Sequence, residues 1–202
     1  DRAIAEREAG RPASALRWAR RALAGFEGHG GSEDAGDLAN VLNAVGDISL
    51  DLGDLDRAGA AYRRAIALAR RWPPSNEAVE RVRVQSVAGL GDLLRTRGRY
   101  AAAMIQLKRA LALAEKRLPS GDILIATVLN SMGMVGKFAA NFALAARHYR
   151  RALRIMKRAV GPDHPELASI HHNLGGLEHA RGRFRAGEPH AEINALRAAG
   201  EL

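Results

Sequence analysis

Histidine is the residue whose distribution first suggests chemistry in this chain of 202 residues. Four of the seven histidines fall between residues 164 and 179, and His172 and His179 would share one face of a helix. Zinc ligands on a helix are usually three or four residues apart, and a site also needs a third ligand. No aspartate or glutamate completes such a set at those spacings. The pattern therefore favours structural or surface roles for these histidines over a metal site.

Two other kinds of active site can be tested by motif. Serine and histidine are present, but no G-x-S-x-G nucleophile elbow accompanies them. The segment GLGDLLRTRG at 89–98 is rich in glycine, yet no strand pattern precedes it and no G-K-[ST] is present, so it does not indicate a phosphate-binding loop. The chain has no cysteine, which excludes thiolate chemistry and is typical of a reducing compartment. We therefore expect a cytoplasmic protein that is not an enzyme and uses no cofactor or metal.

The elements that position these residues are organised as a repeat. The strings YRRAIALA at 62–69 and YRRALRIM at 149–156 are nearly identical. The alanine of this motif recurs at intervals of 43, 45 and 42 residues, as Ala22, Ala65, Ala110 and Ala152. Twelve residues before these alanines lie Gly10, Gly53, Gly98 and Ala140. Seven residues before that second set lie Ala3, Gly46, Gly91 and Gly133. Gly175 and Gly182, also seven residues apart, begin a further block. Such a period predicts an array of stacked structural units.

Each unit has the pattern of two helices. In DLANVLNAVGDISLDLG at 37–53, apolar residues recur at steps of three and four, which predicts an amphipathic helix. Gly53 and Asp54 then supply a turn, and Ala58, Tyr62, Ala65 and Ile66 define the buried face of a second helix. Glycine in the middle of a helix costs about 1 kcal/mol relative to alanine. Its recurrence at 46, 91, 133 and 175 therefore predicts that neighbouring backbones pass closely there.

This pattern resembles the tetratricopeptide repeat, in its longer variant of about 42 residues found in kinesin light chains and many bacterial proteins. The resemblance is clearest in VGPDHPELASIHHNLGGLEHARGRFRAGEPHAE at 160–192, where Gly161, Asp163, His164, Pro165 and Ala168 match the G-x-D-H-P-x-x-A loop between repeats. The chain departs from the pattern at Ala140, where a turn glycine is expected, and at Glu178, where an aromatic residue is usual. Gly187, Ala191 and Asn194 also depart from it, so we expect the final second helix to be the loosest element.

The resemblance implies an all-α fold, a right-handed α-solenoid of antiparallel helix pairs. We expect one solenoid domain divided into a partial repeat at 1–34 and four repeats at 35–77, 78–122, 123–166 and 167–202. Because the array begins inside a repeat and lacks a polar capping helix, the chain is expected to be a fragment of a longer protein. Self-association through the uncapped ends is a further possibility.

The resemblance also implies that the first helices line a groove that binds a peptide or a segment of a partner protein. The expected groove residues, by register, are Asn40, Asn43, Asp47 and Leu50, then Gln85, Ala88, Asp92 and Arg95, then Thr127, Asn130, Met134 and Lys137, and finally Ser169, His172, Gly176 and His179. Asn43 and Asn130 lie where related grooves use asparagine to bind a peptide backbone through both a donor and an acceptor.

The charge of these positions changes along the chain. Asp47 and Asp92 lie towards the N-terminal end, and Lys137, His172 and His179 towards the C-terminal end. We therefore expect an oriented partner, with its basic part near Asp47 and its acidic part near Lys137.

Two alternatives remain open at this point. The array could be a regulatory or sensor region of a larger multidomain signalling protein. The net charge of +9 also allows nucleic-acid binding along a convex ridge, which Arg20, Arg21, Arg63, Arg64, Lys108, Arg109, Arg150 and Arg151 would form. Aromatic residues for base stacking do not alternate with these cations, so the ridge is the less favoured alternative. The longest apolar run, ILIATVL at 123–129, is far too short for a membrane span, and no membrane partner is expected.

Overall fold

A computed structural model of the chain describes residues 2–29, 35–71 and 77–182. Within these ranges the regular elements are nine α-helices, and there are no strands. The helices are α1 Arg2–Glu8, α2 Pro12–His29, α3 Ala35–Asp51, α4 Leu55–Ala69, α5 Glu77–Thr96, α6 Tyr100–Arg117, α7 Ile123–Phe138, α8 Phe142–Val160 and α9 Leu167–Ala180. The region containing Gly187, Ala191 and Asn194, expected to be the loosest, lies outside the described residues.

The helices form two compact units, Asp1–Arg99 and Tyr100–Leu202. In the first unit α1 packs on α2 and α3 packs on α4, and α3 also contacts both α1 and α5. In the second unit α7 packs on α8, and α9 contacts both of them. Short helix pairs that each pack on the next pair are the defining feature of a solenoid. The predicted fold class, an all-α helical-repeat solenoid, is confirmed.

The turns inside the helix pairs share one backbone conformation. Gly10, Gly53, Gly98 and Gly182 have φ between 70° and 77°, and Ala140 has the same left-handed conformation with φ 56°. Glycine adopts this conformation without steric cost, whereas alanine does not. The register correctly identified Ala140 as the residue in the place of a turn glycine. The repeat therefore retains its turn there despite an unfavourable side chain.

A polar residue after the turn begins the second helix in both units. Asp54 Oδ1 accepts a hydrogen bond of 3.1 Å from the backbone N–H of Arg57, and Asn141 Oδ1 accepts one of 3.2 Å from that of Leu144. These N-caps satisfy amide donors that have no partner within the helix. The left-handed turn residue and the capping side chain thus fix where α4 and α8 start.

Tyrosine rings lie against three of the glycines within the first helices. Tyr62 on α4 is 1% exposed, and its ring lies against Gly46 on α3 and Gly89 on α5. A Cβ added at Gly46 would lie 2.5 Å from Tyr62 Cε1, and one added at Gly133 would lie 2.4 Å from Tyr149 Cε1. At Gly46 and Gly133 the close neighbour is therefore an aromatic ring, and not the neighbouring backbone that the pattern predicted.

The predicted apolar stripe of α3 is mostly buried. Leu42, Val45 and Ile48 are each at most 5% exposed and pack with alanines of the neighbouring second helices. Leu52, which the periodicity placed in the same stripe, is 42% exposed. It follows the last residue of α3 and lies in the turn, where the helical period no longer applies.

Candidate partner-binding faces

The first helices of unit 1 present a partly exposed polar surface, which we call face 1. It comprises Asn40, Asn43, Asp47, Leu50, Gln85, Ala88, Asp92 and Arg95 on α3 and α5. Asn40 and Gln85 are exposed, whereas Asp47, Leu50, Asp92 and Arg95 are half-buried. Asn43 and Ala88 are buried, at 6% and 9% exposure. Six of the eight predicted residues are thus accessible within this unit.

Asp47 lies at the centre of a charged cluster on face 1. Tyr62 Oη donates a hydrogen bond of 2.6 Å to Asp47 Oδ1, and Arg7 Nη1 lies 3.8 Å from Asp47 Oδ2. Arg7 on α1 also donates from Nε to Asp51 Oδ2 over 2.6 Å. The Asp47 side chain retains 43% of its exposed surface, so a partner can still reach this carboxylate.

Burial raises the pKa of Asp47, and the neighbouring charges of Asp51 and Asp92 act in the same direction. The hydrogen bond from Tyr62 and the charge of Arg7 oppose this shift. Burial also raises the pKa of Tyr62, as does the adjacent carboxylate, so the phenol stays protonated and donates. An added cation would stabilise the ionised form of Asp47, which makes this position suited to a basic group of a partner.

Asn43 connects neighbouring first helices. Its Nδ2 donates to the backbone carbonyl of Val82 over 3.3 Å, and its Oδ1 accepts a bond of 2.7 Å from Ser86 Oγ. Asn130, at the equivalent position of unit 2, accepts a bond of 2.9 Å from Asn173 Nδ2. Both asparagines therefore join one repeat to the next. In Asn43 both polar groups of the amide are engaged, whereas Asn130 stays half-buried.

The first helices of unit 2 present a second polar surface, which we call face 2. It comprises Thr127, Asn130, Met134, Lys137, Ser169, His172, Gly176 and His179 on α7 and α9. Thr127, Ser169, His172 and His179 are exposed, and the other four residues are half-buried. Face 2 contains no carboxylate among these eight positions, and its basic groups are Lys137 and the two histidines.

Lys137 lies directly over Gly176. A Cβ added at Gly176 would be 2.7 Å from Lys137 Nζ. His172 and His179 lie four residues before and three residues after Gly176, on the same side of α9. Within the described part of the chain Lys137 forms no ion pair. The ammonium group of Lys137 thus lies against α9 at Gly176, a residue without a side chain.

In unit 1 a carboxylate lies at the position that Gly176 has in unit 2. In the repeat register Arg7 corresponds to Lys137, and Asp47 corresponds to Gly176. Arg7 faces the Asp47 carboxylate, whereas Lys137 faces a bare backbone. The repeat therefore brings a cation to the same position in both units, but among the described residues only the cation of unit 1 has an anionic partner.

Sequence reasoning missed three members of the unit 1 cluster. Arg7 lies in the incomplete first repeat and was not assigned to the groove, although its register with Leu50, Arg95, Lys137 and His179 could have identified it. Asp51 is one position beyond the expected set. The Tyr62 hydroxyl was missed because the pattern assigned that residue to the core.

His164 has a local structural contact. Its Nδ1 accepts a hydrogen bond of 3.3 Å from the backbone N–H of Glu166, in the loop between α8 and α9. Across residues 2–29, 35–71 and 77–182, no three histidine, aspartate or glutamate side chains are grouped as metal ligands would be. No helix in these same ranges is both long enough and apolar enough to span a bilayer.

Comparison with protein families agrees with this architecture. Tetratricopeptide repeat models match residues 39–71, 85–122 and 124–192, which together cover more than half of the chain. The chain belongs to the tetratricopeptide repeat family. One relative of this repeat protein is Protein KINESIN LIGHT CHAIN-RELATED 2 of Arabidopsis thaliana, 26% identical over 150 residues. That match covers 73% of this chain but only 22% of the length of the relative, so the chain spans about a fifth of it.

Solved structures of other repeat proteins share the fold. The BtubC (BKLC) protein of P. vanneervenii superposes with a TM-score of 0.61 at 19% identity, covering 97% of this chain and 92% of that one. TTC0263, a tetratricopeptide repeat protein of Thermus thermophilus, gives a TM-score of 0.64 at 20% identity, with coverages of 96% and 87%. The Rap conjugation gene regulator of plasmid pLS20, in complex with the Phr* peptide, gives 0.81 at 16% identity, covering 98% of this chain and 52% of the regulator. At these identities the similarity establishes the fold.

Proposed function

We propose that this tetratricopeptide repeat chain is a non-catalytic scaffold that binds a peptide or a segment of a partner protein on its first-helix faces. The observation that carries the proposal is Lys137, whose ammonium group lies over Gly176 and forms no ion pair with any residue that the structure describes. A half-buried cation gains free energy when an anion is brought to it, because desolvation strengthens the interaction. The solved regulator with the same fold, which holds the Phr* peptide, supports a peptide as the kind of ligand.

The partner is oriented by charge in this proposal. Face 1 carries the carboxylates of Asp47 and Asp92, and Asp47 remains accessible despite its contacts with Tyr62 and Arg7. Face 2 carries only basic and neutral groups. A basic part of the partner therefore lies at Asp47 and an acidic part at Lys137, with the remaining exposed residues of both faces providing neutral contacts.

Burial and hydrogen bonding reduce the number of face residues that can contact a partner. Asn43 supports face 1 from beneath, since its amide is engaged with Val82 and Ser86. Asn130 is better placed to bind a peptide carbonyl, because its hydrogen bond from Asn173 uses Oδ1 and not Nδ2. The exposed residues Asn40, Gln85, Thr127, Ser169 and His172 complete the proposed contact surface.

A charge exchange tests this proposal. Peptides selected on this chain from a random library are measured by isothermal titration against the wild type and against the double variant Asp47→Lys with Lys137→Glu. We expect the double variant to weaken the selected peptides at least about tenfold, equivalent to about 1.4 kcal/mol. The matched control is Lys116→Glu, an exposed lysine on the second helix α6, which should leave affinity unchanged. Equal affinity for the wild type and the exchanged variant would refute the charge orientation.

A second candidate is a regulatory array within a larger signalling protein. The favouring observation is that this chain covers only 52% of the Rap regulator, whose fold it shares, and 22% of the kinesin light chain-related protein. In that arrangement peptide binding at the same faces would alter a second domain. A longer gene product in which the peptide changes the activity of an attached domain would favour this candidate over a simple scaffold.

A further inference from the structure

The second helix α8 differs from the rest of the molecule in its charge. It contains Arg147, Arg150, Arg151, Arg154, Lys157 and Arg158, and no acidic residue in its 19 positions. With 100° between successive residues of an α-helix, all six cations fall within a sector of about 120°. The opposite side of α8 carries Ala145, Tyr149, Ala152 and Met156, which are buried in unit 2. One side of α8 is therefore fixed in the core, and the other is a continuous cationic stripe.

The stripe is accessible and mostly unneutralised. Five of its residues are exposed, and Arg151 is half-buried and paired with Glu115 on α6. In the described part of the chain, Arg151 is the one stripe residue with an ion pair. The adjacent His148 responds to this positive potential: burial lowers its pKa, and the charges of Arg147, Arg151 and Lys108 lower it further.

Comparison with the other second helices shows that the stripe is not simply a feature of the repeat. The pair Arg150 and Arg151 recurs on α2, α4 and α6, as Arg20–Arg21, Arg63–Arg64 and Lys108–Arg109. Three further stripe positions also carry a cation elsewhere: that of Arg147 is Arg17 in α2, that of Lys157 is Arg70 after α4, and that of Arg158 is Lys116 in α6 and Arg71 after α4. The position of Arg154 carries alanine in the three other helices, as Ala24, Ala67 and Ala112. Of the four helices α2, α4, α6 and α8, only α8 has a cation at all six positions and no acidic residue.

We infer that the cationic stripe of α8 binds the phosphate backbone of duplex DNA without sequence preference. From Arg147 to Arg158 the stripe is about 17 Å long. Duplex DNA presents about ten phosphate charges over that length. Five of the six cations are arginines, whose planar guanidinium groups match phosphate oxygens in a bidentate manner. The major groove of B-DNA is also wide enough for the exposed side of an α-helix to approach its phosphates.

Other polyanions fit this surface less well. Single-stranded nucleic acid is usually held by stacking its bases on aromatic side chains, and the aromatic residue closest to the centre of the stripe, Tyr149, is fully buried. Duplex RNA has a deep and narrow major groove that excludes a helix. An anionic bilayer would attract the charges, but the exposed sector of α8 holds no apolar side chain larger than alanine that could insert between lipids.

Salt dependence gives the quantitative expectation. Each phosphate contact contributes about −0.9 to the slope of log affinity against log salt concentration, so six contacts predict a slope of about −5. Affinity for a 24-base-pair duplex should then fall about a thousandfold between 50 and 200 mM salt. The triple variant Arg147→Gln, Arg150→Gln and Arg154→Gln should retain a slope of about −3 and bind more weakly at low salt.

The experiment is fluorescence anisotropy of a labelled random-sequence duplex across this salt range. The control variant removes the same number of exposed charges from unit 1, through Arg20→Gln, Arg63→Gln and Arg64→Gln, and should keep a slope near −5. Circular dichroism should show equal helix content in both triple variants. Vesicles with 30% anionic lipid and a labelled duplex RNA provide two competing ligands.

Three results would overturn the inference. The first is no binding of duplex DNA by the wild type at 50 mM salt. The second is an equal loss of slope in the two triple variants, which would indicate a response to net charge alone. The third is tighter binding of vesicles or duplex RNA than of duplex DNA. None of these results bears on peptide binding at faces 1 and 2, which uses other helices.

Discussion

Units 1 and 2 each have a basic side chain at the same position of the repeat, but the residue that it contacts differs between the units. In unit 1 Arg7 meets the Asp47 carboxylate, which Tyr62 also holds, whereas in unit 2 Lys137 meets the backbone of Gly176. The two units share turn geometry, capping and the contact between tyrosine and glycine. The residues that pack the two units are therefore alike, whereas the residues on faces 1 and 2 differ in charge. Such a difference is expected when a fold is shared and the function depends on particular surface residues.

The largest expected effect tests the packing that the two units share. Gly46→Ala in unit 1 and Gly133→Ala in unit 2 would each place a Cβ within about 2.5 Å of a buried tyrosine ring. Overpacking of this kind typically costs about 1–3 kcal/mol, which exceeds the gain of about 1 kcal/mol from replacing a helical glycine with alanine. We expect both variants to have a lower free energy of unfolding in urea denaturation.

Gly25→Ala is the matched control for these two changes. Gly25 lies in the C-terminal half of α2, and an added Cβ there meets nothing within 4 Å. This variant should gain up to about 1 kcal/mol from helix propensity. If Gly46→Ala and Gly133→Ala were stabilised as Gly25→Ala is, the close contact with tyrosine would not constrain these positions.

An intermediate effect would convert unit 2 into the arrangement of unit 1. Gly176→Asp supplies Lys137 with an internal carboxylate, which competes with an acidic segment of a partner. We expect the affinity for an acidic peptide, measured by isothermal titration, to fall about tenfold, or about 1.4 kcal/mol.

The neutral isostere Gly176→Asn separates charge from size. It introduces a side chain of the same shape beneath Lys137 Nζ, whose flexible end can shift, and should weaken the peptide less than Gly176→Asp does. Equal losses for the aspartate and asparagine variants would mean that space, and not the unpaired charge, determines binding at face 2.

The smallest effect concerns the turns. Ala140→Gly should raise the free energy of unfolding by about 1 kcal/mol, because a side chain in the left-handed region costs roughly 1–2 kcal/mol. The reverse change in unit 1, Gly53→Ala, should lower it by a similar amount at the equivalent turn. Thermal denaturation of both variants provides the measurement. Changes of the same sign would show that the two turns are not equivalent.

Most of the fold could be predicted from the sequence because it depends on local patterns. The spacing of apolar residues defines the helices, and the register of Gly53 with Ala140 locates a turn even where glycine is absent. The sequence predicted a close contact at the glycines at 46 and 133, but with a neighbouring backbone. Their partner, a tyrosine ring from the second helix, required the packed structure.

The candidate faces were less predictable, because their chemistry depends on neighbours that are distant in sequence. Asn43 had a residue type suited to peptide binding, but its amide is engaged by Val82 and Ser86 on the next first helix. Arg7 reaches Asp51, 44 residues away. The position of a residue in the repeat thus indicates the surface it faces, whereas the identity of the adjacent repeat decides which of its polar groups remain available.

Tyr62 connects two properties of unit 1 that are usually separate. Its ring lies between Gly46 of α3 and Gly89 of α5, so it separates the two helices. Its hydroxyl donates a hydrogen bond to Asp47, the carboxylate proposed to bind a basic group of the partner. A change that displaces Asp47 therefore also affects Tyr62, because the two side chains are joined by a hydrogen bond. A ligand that bound Asp47 as proposed would therefore also act on the side chain that separates α3 from α5.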